Sequence, residues 1–378
     1  MANEFSNIDE TSIGLYTEPY ISRQSYISTI INMNNINPNS LSPELKIFFL
    51  RMITRRPAPG LLTPEIFEQV EAPVLEPGPG EFRVKVAYVS LDPAMRGWVN
   101  EGRSYVPPVP IGAVMRAYAA GIVEVSNNDA FKPGDAVSGI FGVQQYAISD
   151  GKRVIRADIS RAPLERWVGG LGMPGWTAYF GLLEVGQPKA GETVVVSAAS
   201  GAVGSIVGQI AKIKGCRAIG IAGGPEKCRF VKDVLGFDEC LDYKRADLAA
   251  QLDAACPNGI DVNFENVGGE ILDTILPRMN TFGRVAICGL ISAYNAAATP
   301  DGPRNFRAVL AQRLKVQGLI VSDWAVRIPE AIDALAGWNA DGRLKLREDV
   351  RTGGIPAFLD TLNLLYSGGN NGKLVLKV

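Results

Sequence analysis

The chain contains no histidine in its 378 residues. That absence removes the commonest general acid or base at neutral pH, the commonest zinc ligand and every Ser-His or Cys-His catalytic pair. Chemistry here must come from tyrosine, lysine, carboxylates, cysteine, backbone groups or a cofactor. Cysteine is scarce and unpaired. Cys216, Cys228, Cys240, Cys256 and Cys288 form no C-x-x-C motif, which fits a reduced compartment better than a disulfide framework or a zinc site. A cytoplasmic location is the matching expectation. No apolar run is long enough for a membrane span. The formal net charge of -1 gives no electrostatic footprint for nucleic acid or acidic lipid.

Composition shifts along the chain. Residues 1–46 are rich in Ser, Asn, Ile and Thr and almost free of glycine. They lack the charged start and apolar centre of a secretory signal, and Arg23 as sole arginine makes a poor transit peptide. They read as a weakly ordered extension, dispensable for chemistry. Residues 47–165 read as an irregular β domain. Glu81–Ser90 alternates with period two after the turn signals Pro77–Gly80, and Gly121–Val125 and Ala136–Ile140 are further strands. Over residues 166–340, strands and helices alternate. Thr193–Ser197, Arg217–Ile221, Cys240–Tyr243, Ile260–Phe264, Arg284–Cys288 and Lys315–Val321 read as strands. Ala202–Lys214, Pro225–Leu235 and Trp324–Asn339 are among the helices between and after them. The pattern predicts an α/β fold with a doubly wound parallel sheet. Residues 341–378 end in the strand-like Lys373–Lys377 and are expected to return to the β domain.

The first strand of the alternating region runs straight into Ala198-Ala-Ser-Gly-Ala-Val-Gly204 and then a helix. Gly201 permits the tight turn, and Gly204 lets the helix start approach the strand and a diphosphate. Ser200, Ala202 and Val203 complete a loop whose helix N-terminus offers free N–H groups and partial positive charge. A strand–helix turn without a ligand would share the glycines but not the surrounding βα repeats. At the end of the second strand an NAD site places Asp or Glu against the ribose. Here Gly223 and Gly224 stand there, with Lys227 in the next helix and Tyr243 beside Lys244 at the end of the third strand. That set points to the 2′-phosphate of NADPH, although Lys227 alone could be an ordinary surface lysine.

Gly172-Met-Pro-Gly-Trp-Thr-Ala-Tyr-Phe-Gly-Leu-Leu183, the glycine turn, Asn263-Phe-Glu-Asn-Val-Gly-Gly269, and Gly283-Arg-Val-Ala-Ile-Cys-Gly289 with Ser292-Ala-Tyr-Asn295 together carry a family pattern. They resemble the prostaglandin reductase and alkenal double-bond reductase branch of the zinc-independent medium-chain dehydrogenases/reductases. Ser90-Leu-Asp-Pro-Ala-Met-Arg-Gly97 resembles that branch's substrate-domain motif. The resemblance implies a GroES-like β domain beside a Rossmann domain, bound NADPH, and a small enal or enone as substrate. It implies cofactor contacts at Met173, Pro174, Thr177, Asn266, Cys288 and Asn295. It also makes Tyr294 the hydroxyl donor to the substrate carbonyl. The competing role for Tyr294 is packing on the cofactor or binding its ribose, with Tyr88, Tyr105 and Tyr118 as other donors. A homodimer paired through the edge strand Lys315–Val321 is implied too.

Two positions depart from the pattern. Ala94 stands where the branch usually has tyrosine, and Gly223-Gly-Pro225 replaces a loop that often contains serine. Zinc-dependent relatives carry Gly-His-Glu before the strand at Gly121; Gly112–Gly121 has neither His nor acid, so no metal is expected. Two other functions fit the same cofactor site: a quinone reductase of the same superfamily, and a cofactor-binding protein with little catalysis.

Overall fold

Short β-branched runs, apolar on both faces, can be buried only inside a sheet covered on both sides. The computed structural model describes residues 46–52, 56–298 and 300–378. The expected extension therefore lies, apart from its last residue, outside the described residues. Strands β1 (Lys46–Met52) and β2 (Phe67–Pro73) form an antiparallel pair. They are followed by β3 (Phe82–Ser90), β4 (Tyr118–Ser126), β5 (Ala136–Ile140), β6 (Tyr146–Ser149) and β7 (Ile155–Arg156). The alternating region supplies β8 (Thr193–Ser197), β9 (Arg217–Ala222), β10 (Glu239–Asp242), β11 (Ile260–Glu265), β12 (Met279–Ile287) and β13 (Lys315–Gly318). The chain closes with β14 (Glu348–Arg351) and β15 (Lys373–Lys377).

The six strands β8–β13 make one parallel sheet in the order β10-β9-β8-β11-β12-β13. Counted from β8, that is the 3-2-1-4-5-6 order of a doubly wound Rossmann sheet, with its switch point between β8 and β11. Every side chain of β8 is buried, as a central parallel strand requires. The other sheet runs β14-β15-β3-β4-β5-β7, with β6 also on β3. β15 pairs antiparallel with β3, so the last strand of the chain sits in the first lobe. This sheet is the GroES-like unit.

One apolar core joins the two lobes. Tyr118, Ala120 and Ala136 from the β sheet share it with Trp176, Phe180, Val194 and Phe264 from the Rossmann side. Tyr118 meets Trp176 edge-on, centroids 5.8 Å apart. Phe180 and Phe264 are fully buried, each worth roughly 1.5–3 kcal/mol. The lobes thus hold a fixed relation, and a doubly wound sheet of this order takes its ligand in a cleft at the switch point, outside the ends of β8 and β11.

Several element boundaries differ from expectation, and two of the differences have a plain physical cause. The strand expected over Lys315–Val321 ends at Gly318. The Leu-Ile-Val run after it looks strand-like, but Leu319 turns inward and packs beside Phe264 at Gly181. The helix expected from Trp324 begins at Ile328, because Pro329 fits only its first turn; Val321–Arg327 is 3-10 helix instead. Among the described residues no helix is long and apolar enough to cross a membrane.

Candidate active site

The turn after β8 is made almost entirely of backbone. Ala198 adopts φ +50°, left-handed for a residue with a side chain. Its carbonyl accepts the N–H of Gly201 at 2.9 Å. A Cβ on Gly204 would run into that same carbonyl, so only glycine starts the helix Gly204–Ile213 this close to the strand. Val203 precedes that helix without a side-chain cap. The helix N-terminus therefore opens onto the turn formed by Ser200, Gly201 and Ala202, a cradle suited to a diphosphate. The helix Met173–Phe180, which carries Met173, Pro174 and Thr177, packs against Gly204–Ile213. Thr177 Oγ1 donates to the Met173 carbonyl at 2.8 Å.

The far wall of the turn comes from the ends of β11 and β12. Glu265 is fully buried, yet none of its partners is charged. Its Oε1 accepts Ser197 Oγ (2.6 Å), Val267 N (2.7 Å) and Gly268 N (2.9 Å), and its Oε2 accepts Asn263 Nδ2 (3.1 Å). Asn266 closes the knot, donating from its side chain to the Ser197 carbonyl and from its backbone to Ser197 Oγ, both at 2.7 Å. The carboxylate thus ties β8, β11 and the loop after it into one rigid corner. A buried charge survives only with such hydrogen bonding. Nothing in the local sequence distinguishes Glu265 from a surface glutamate.

Cys288 and Gly289 donate their N–H groups to the Glu265 carbonyl at 2.9 and 3.1 Å. That places the next segment alongside Asn266. Burial, reinforced by Glu265, pushes the Cys288 thiol up to about 12, so it is a neutral wall rather than a nucleophile. Tyr294 lies over Gly289. Its hydroxyl oxygen accepts the Leu290 N–H at 3.3 Å, which leaves its proton free to donate. Burial holds the Tyr294 phenol above the usual tyrosine range despite that hydrogen bond, so it stays protonated at neutral pH. Asn295 beside it has a buried side-chain carbonyl oxygen without a partner. A buried acceptor without a partner beside Tyr294 fits a polar ligand there.

A second corner forms at the ends of β9 and β10. Any Cβ on Gly223 would stand 2.9 Å from the Tyr243 phenol oxygen, so the glycine makes room for that ring. Gly224 has φ +93°. Its N–H donates to Asp242 Oδ1 at 2.8 Å, and Lys244 N donates to the same atom at 3.0 Å. The one carboxylate oxygen near the strand end is thereby occupied by backbone. Lys227 donates to the Gly368 carbonyl at 2.8 Å. Burial, and then Lys244 nearby, lower its pKa, so an added anion would be welcome here. A cavity of about 480 Å³ opens at this corner, lined by Lys227, Arg347, Asp349, Arg351, Gly368 and Asn371 among others.

Several contributors came from the far end of the chain. Gly372 N donates to the Ser200 carbonyl at 3.0 Å, and Gly201 and Gly372 form a bridge. The loop Gly368–Gly372 thus lies across both corners. Two of the other candidate donors already have hydrogen-bond partners. The Tyr118 hydroxyl is shared with Ser138 Oγ at 3.0 Å in the core, and Tyr105 accepts from Trp98 Nε1 at 3.0 Å.

Two family models match the chain: one described as the N-terminal domain of oxidoreductase, over residues 51–157, and one as zinc-binding dehydrogenase, over residues 202–337. The NADPH-dependent curcumin reductase of Escherichia coli (strain K12) is 45% identical over 326 residues, 84% of this chain and 94% of that relative. The chain belongs to the zinc-independent branch of the medium-chain dehydrogenases/reductases. The NADP(+)-dependent 2-alkenal reductase of Nicotiana tabacum is 40% identical to this family member over 305 residues, 80% of this chain and 88% of the relative. The crystal structure of CurA in complex with NADPH from Vibrio vulnificus matches with a TM-score of 0.82 and 44% identity, covering 88% and 99% of the two chains. The word zinc in the matched model's description finds no ligands here. Histidine is absent from the sequence, and among the described residues no group of three or more Cys, Asp or Glu is placed to hold a metal.

Proposed function

We propose that the protein is an NADPH-dependent reductase of the C=C bond of α,β-unsaturated aldehydes and ketones. The observation that carries this reading is the surroundings of Tyr294. A protonated Tyr294, with its acceptor side filled by Leu290 N–H and its donor side free, lies on Gly289 beside Asn266 at the ends of β11 and β12, next to Asn295, whose side-chain oxygen is buried without a partner.

When bound, NADPH supplies the hydride for the β-carbon. The residues of this chain supply binding, orientation and the stabilisation of charge. The glycine turn and the N-terminus of Gly204–Ile213 hold the diphosphate. Lys227, with Tyr243 and Gly223 making room, takes the 2′-phosphate. Asn266, Cys288, Asn295, Met173, Pro174 and Thr177 frame the reactive end. Tyr294 donates a hydrogen bond to the carbonyl oxygen, where negative charge grows as hydride arrives. The enolate then takes a proton from water at the α-carbon, so no residue needs to change protonation state near pH 7, which suits a site without histidine. The relatives support the acceptor class by name: one is a curcumin reductase, the other a 2-alkenal reductase.

The division of labour follows the topology. Residues 47–165 and the return segment 341–378 form the substrate side, and residues 166–340 the cofactor side. We place the enzyme in the cytoplasm, in keeping with its five free thiols. We also propose a homodimer through β13. All four of its residues are exposed on the sheet's edge. Leu310 and Phe282 beside it are 80% and 64% exposed, an apolar edge that a two-fold copy would cover. Following NADPH absorbance with a panel of enals, enones and quinones tests the reading. Turnover of enals and enones supports it, and turnover of quinones alone would shift it to the related reductases.

A further inference from the structure

The helix Phe358–Ser367 and the loop after it touch both ends of the cleft. At one end, the Tyr366 hydroxyl donates to the Pro93 carbonyl at 3.0 Å. At the other, Gly368 accepts from Lys227 (2.8 Å) and Gly372 donates to Ser200 (3.0 Å). The Pro93 carbonyl also accepts Arg96 N at 3.2 Å, within the turn Asp92–Gly97. Ala94, the next residue, has no side chain beyond Cβ and offers neither ring nor hydroxyl. Tyr366 is half-buried against the same core as Ala94. Its phenol is raised by burial, and Arg96, Tyr294 and Asp92 are close enough to act on it electrostatically.

The turn below Tyr366 is tied on more than one side. Arg96 is buried and bonds to the Gly60 and Ala58 carbonyls at 3.0 and 2.9 Å, which fixes the turn's outer side. Asp92 is held from beneath by Lys373 Nζ (2.7 Å) and Ser90 Oγ (2.5 Å). A further side is fixed by the Tyr366 hydroxyl on the Pro93 carbonyl. A protonated phenol suits that task, because it can only donate to a carbonyl.

We infer that Tyr366 is a positioning and specificity residue, which holds the turn Asp92–Gly97 at the substrate side of the cleft and presents its ring opposite Tyr294 where Ala94 has none. This rests on the reading of the protein as an enone reductase. In that frame Tyr366 sets how a carbonyl substrate lies between the turn and Tyr294, without itself touching the hydride path. Its ring limits the bulk accepted there, and its hydroxyl limits the turn's motion.

The test compares Tyr366→Phe and Tyr366→Leu with the wild-type enzyme. Two enones are used, one small and one carrying a bulky aryl group. Tyr366→Phe removes one hydrogen bond and should raise KM for both enones by about 2–10-fold. It should leave kcat and the KM for NADPH within about twofold, since Tyr294 and the cradle are untouched. Tyr366→Leu should add a shift in preference toward the bulky enone. A purely structural tyrosine would lower thermal stability and leave both KM values alone. Amide hydrogen exchange, which needs no substrate, is read on the same variants. Faster exchange at Met95–Gly97 in Tyr366→Phe supports the tie to Pro93 even if no enone is turned over, and in that event only the enone reading fails. Unchanged exchange in that turn, or unchanged KM and preference in an enzyme that does reduce enones, would overturn the inference.

Discussion

In the site as proposed, selectivity at the diphosphate turn would come from side chains that are missing. Gly204 must lack a Cβ to clear the Ala198 carbonyl, and the ligand is met by backbone N–H groups. At the corner proposed for the 2′-phosphate, 18 residues further on from Gly204 at Ala222, selectivity would come from side chains that are present. Lys227 reaches across to the Gly368 carbonyl, Tyr243 lies on Gly223, and Asp242 is occupied by two backbone N–H groups. The first corner is fixed by fold and would serve any dinucleotide. The second can be retuned one residue at a time without touching the fold. The proposed chemical end falls between these cases: one side chain, Tyr294, would donate to the carbonyl, and the buried Glu265 knot fixes the segment that carries it.

Breaking the chemical end should have the largest effect. Tyr294→Phe is expected to lower kcat and kcat/KM together by about 10²-fold, the lower range for one lost oxyanion donor. NADPH affinity should be nearly intact. A loss confined to NADPH affinity, measured by fluorescence titration, would make Tyr294 a nucleotide-binding residue instead.

The next effect is at the tunable corner. Lys227→Ala should raise the KM for NADPH by about tenfold, as expected for loss of a charge-assisted hydrogen bond. The KM for NADH should stay nearly constant. Equal changes for both cofactors would remove Lys227 from the 2′-phosphate.

These two corners were unequally legible in the sequence. The glycine turn could be read because its constraint is local: strand, glycines and helix follow one another. Gly223, Lys227 and Tyr243 could be read because they end consecutive strands or begin the helix between them. The loop Gly368–Gly372 and Tyr366 could not. Lys227 meets Gly368 across 141 residues, and Tyr366 meets Pro93 across 273, and no periodicity encodes such a meeting. Glu265 was quoted within a motif but its role was hidden, because its partners are backbone N–H groups and a serine 68 residues away. The end of β13 was misread for a physical reason. An apolar run can bury itself beside a sheet as well as in it, and Leu319 does the former.

A smaller effect on catalysis is expected at the sheet's edge. Leu310→Glu should shift the protein from dimer to monomer in light scattering at micromolar concentration, by placing like charges in a two-fold contact. Turnover per chain should fall little, since the edge lies away from both corners. A wild-type protein that is already monomeric would refute the dimer. The smallest effect is expected from the N-terminal stretch. A chain beginning at Lys46 keeps β1 whole, and it should retain NADPH binding and turnover. Insolubility of that shorter chain would show that residues 1–45 cover part of the core.

The central claim is tested most directly by the product of a single reaction. The enzyme is incubated with NADPH deuterated at the transferable position and a simple enone, and the product is examined by proton NMR. Deuterium at the β-carbon of a saturated ketone is the expected result. Deuterium at the carbonyl carbon, giving an allylic alcohol, would contradict it.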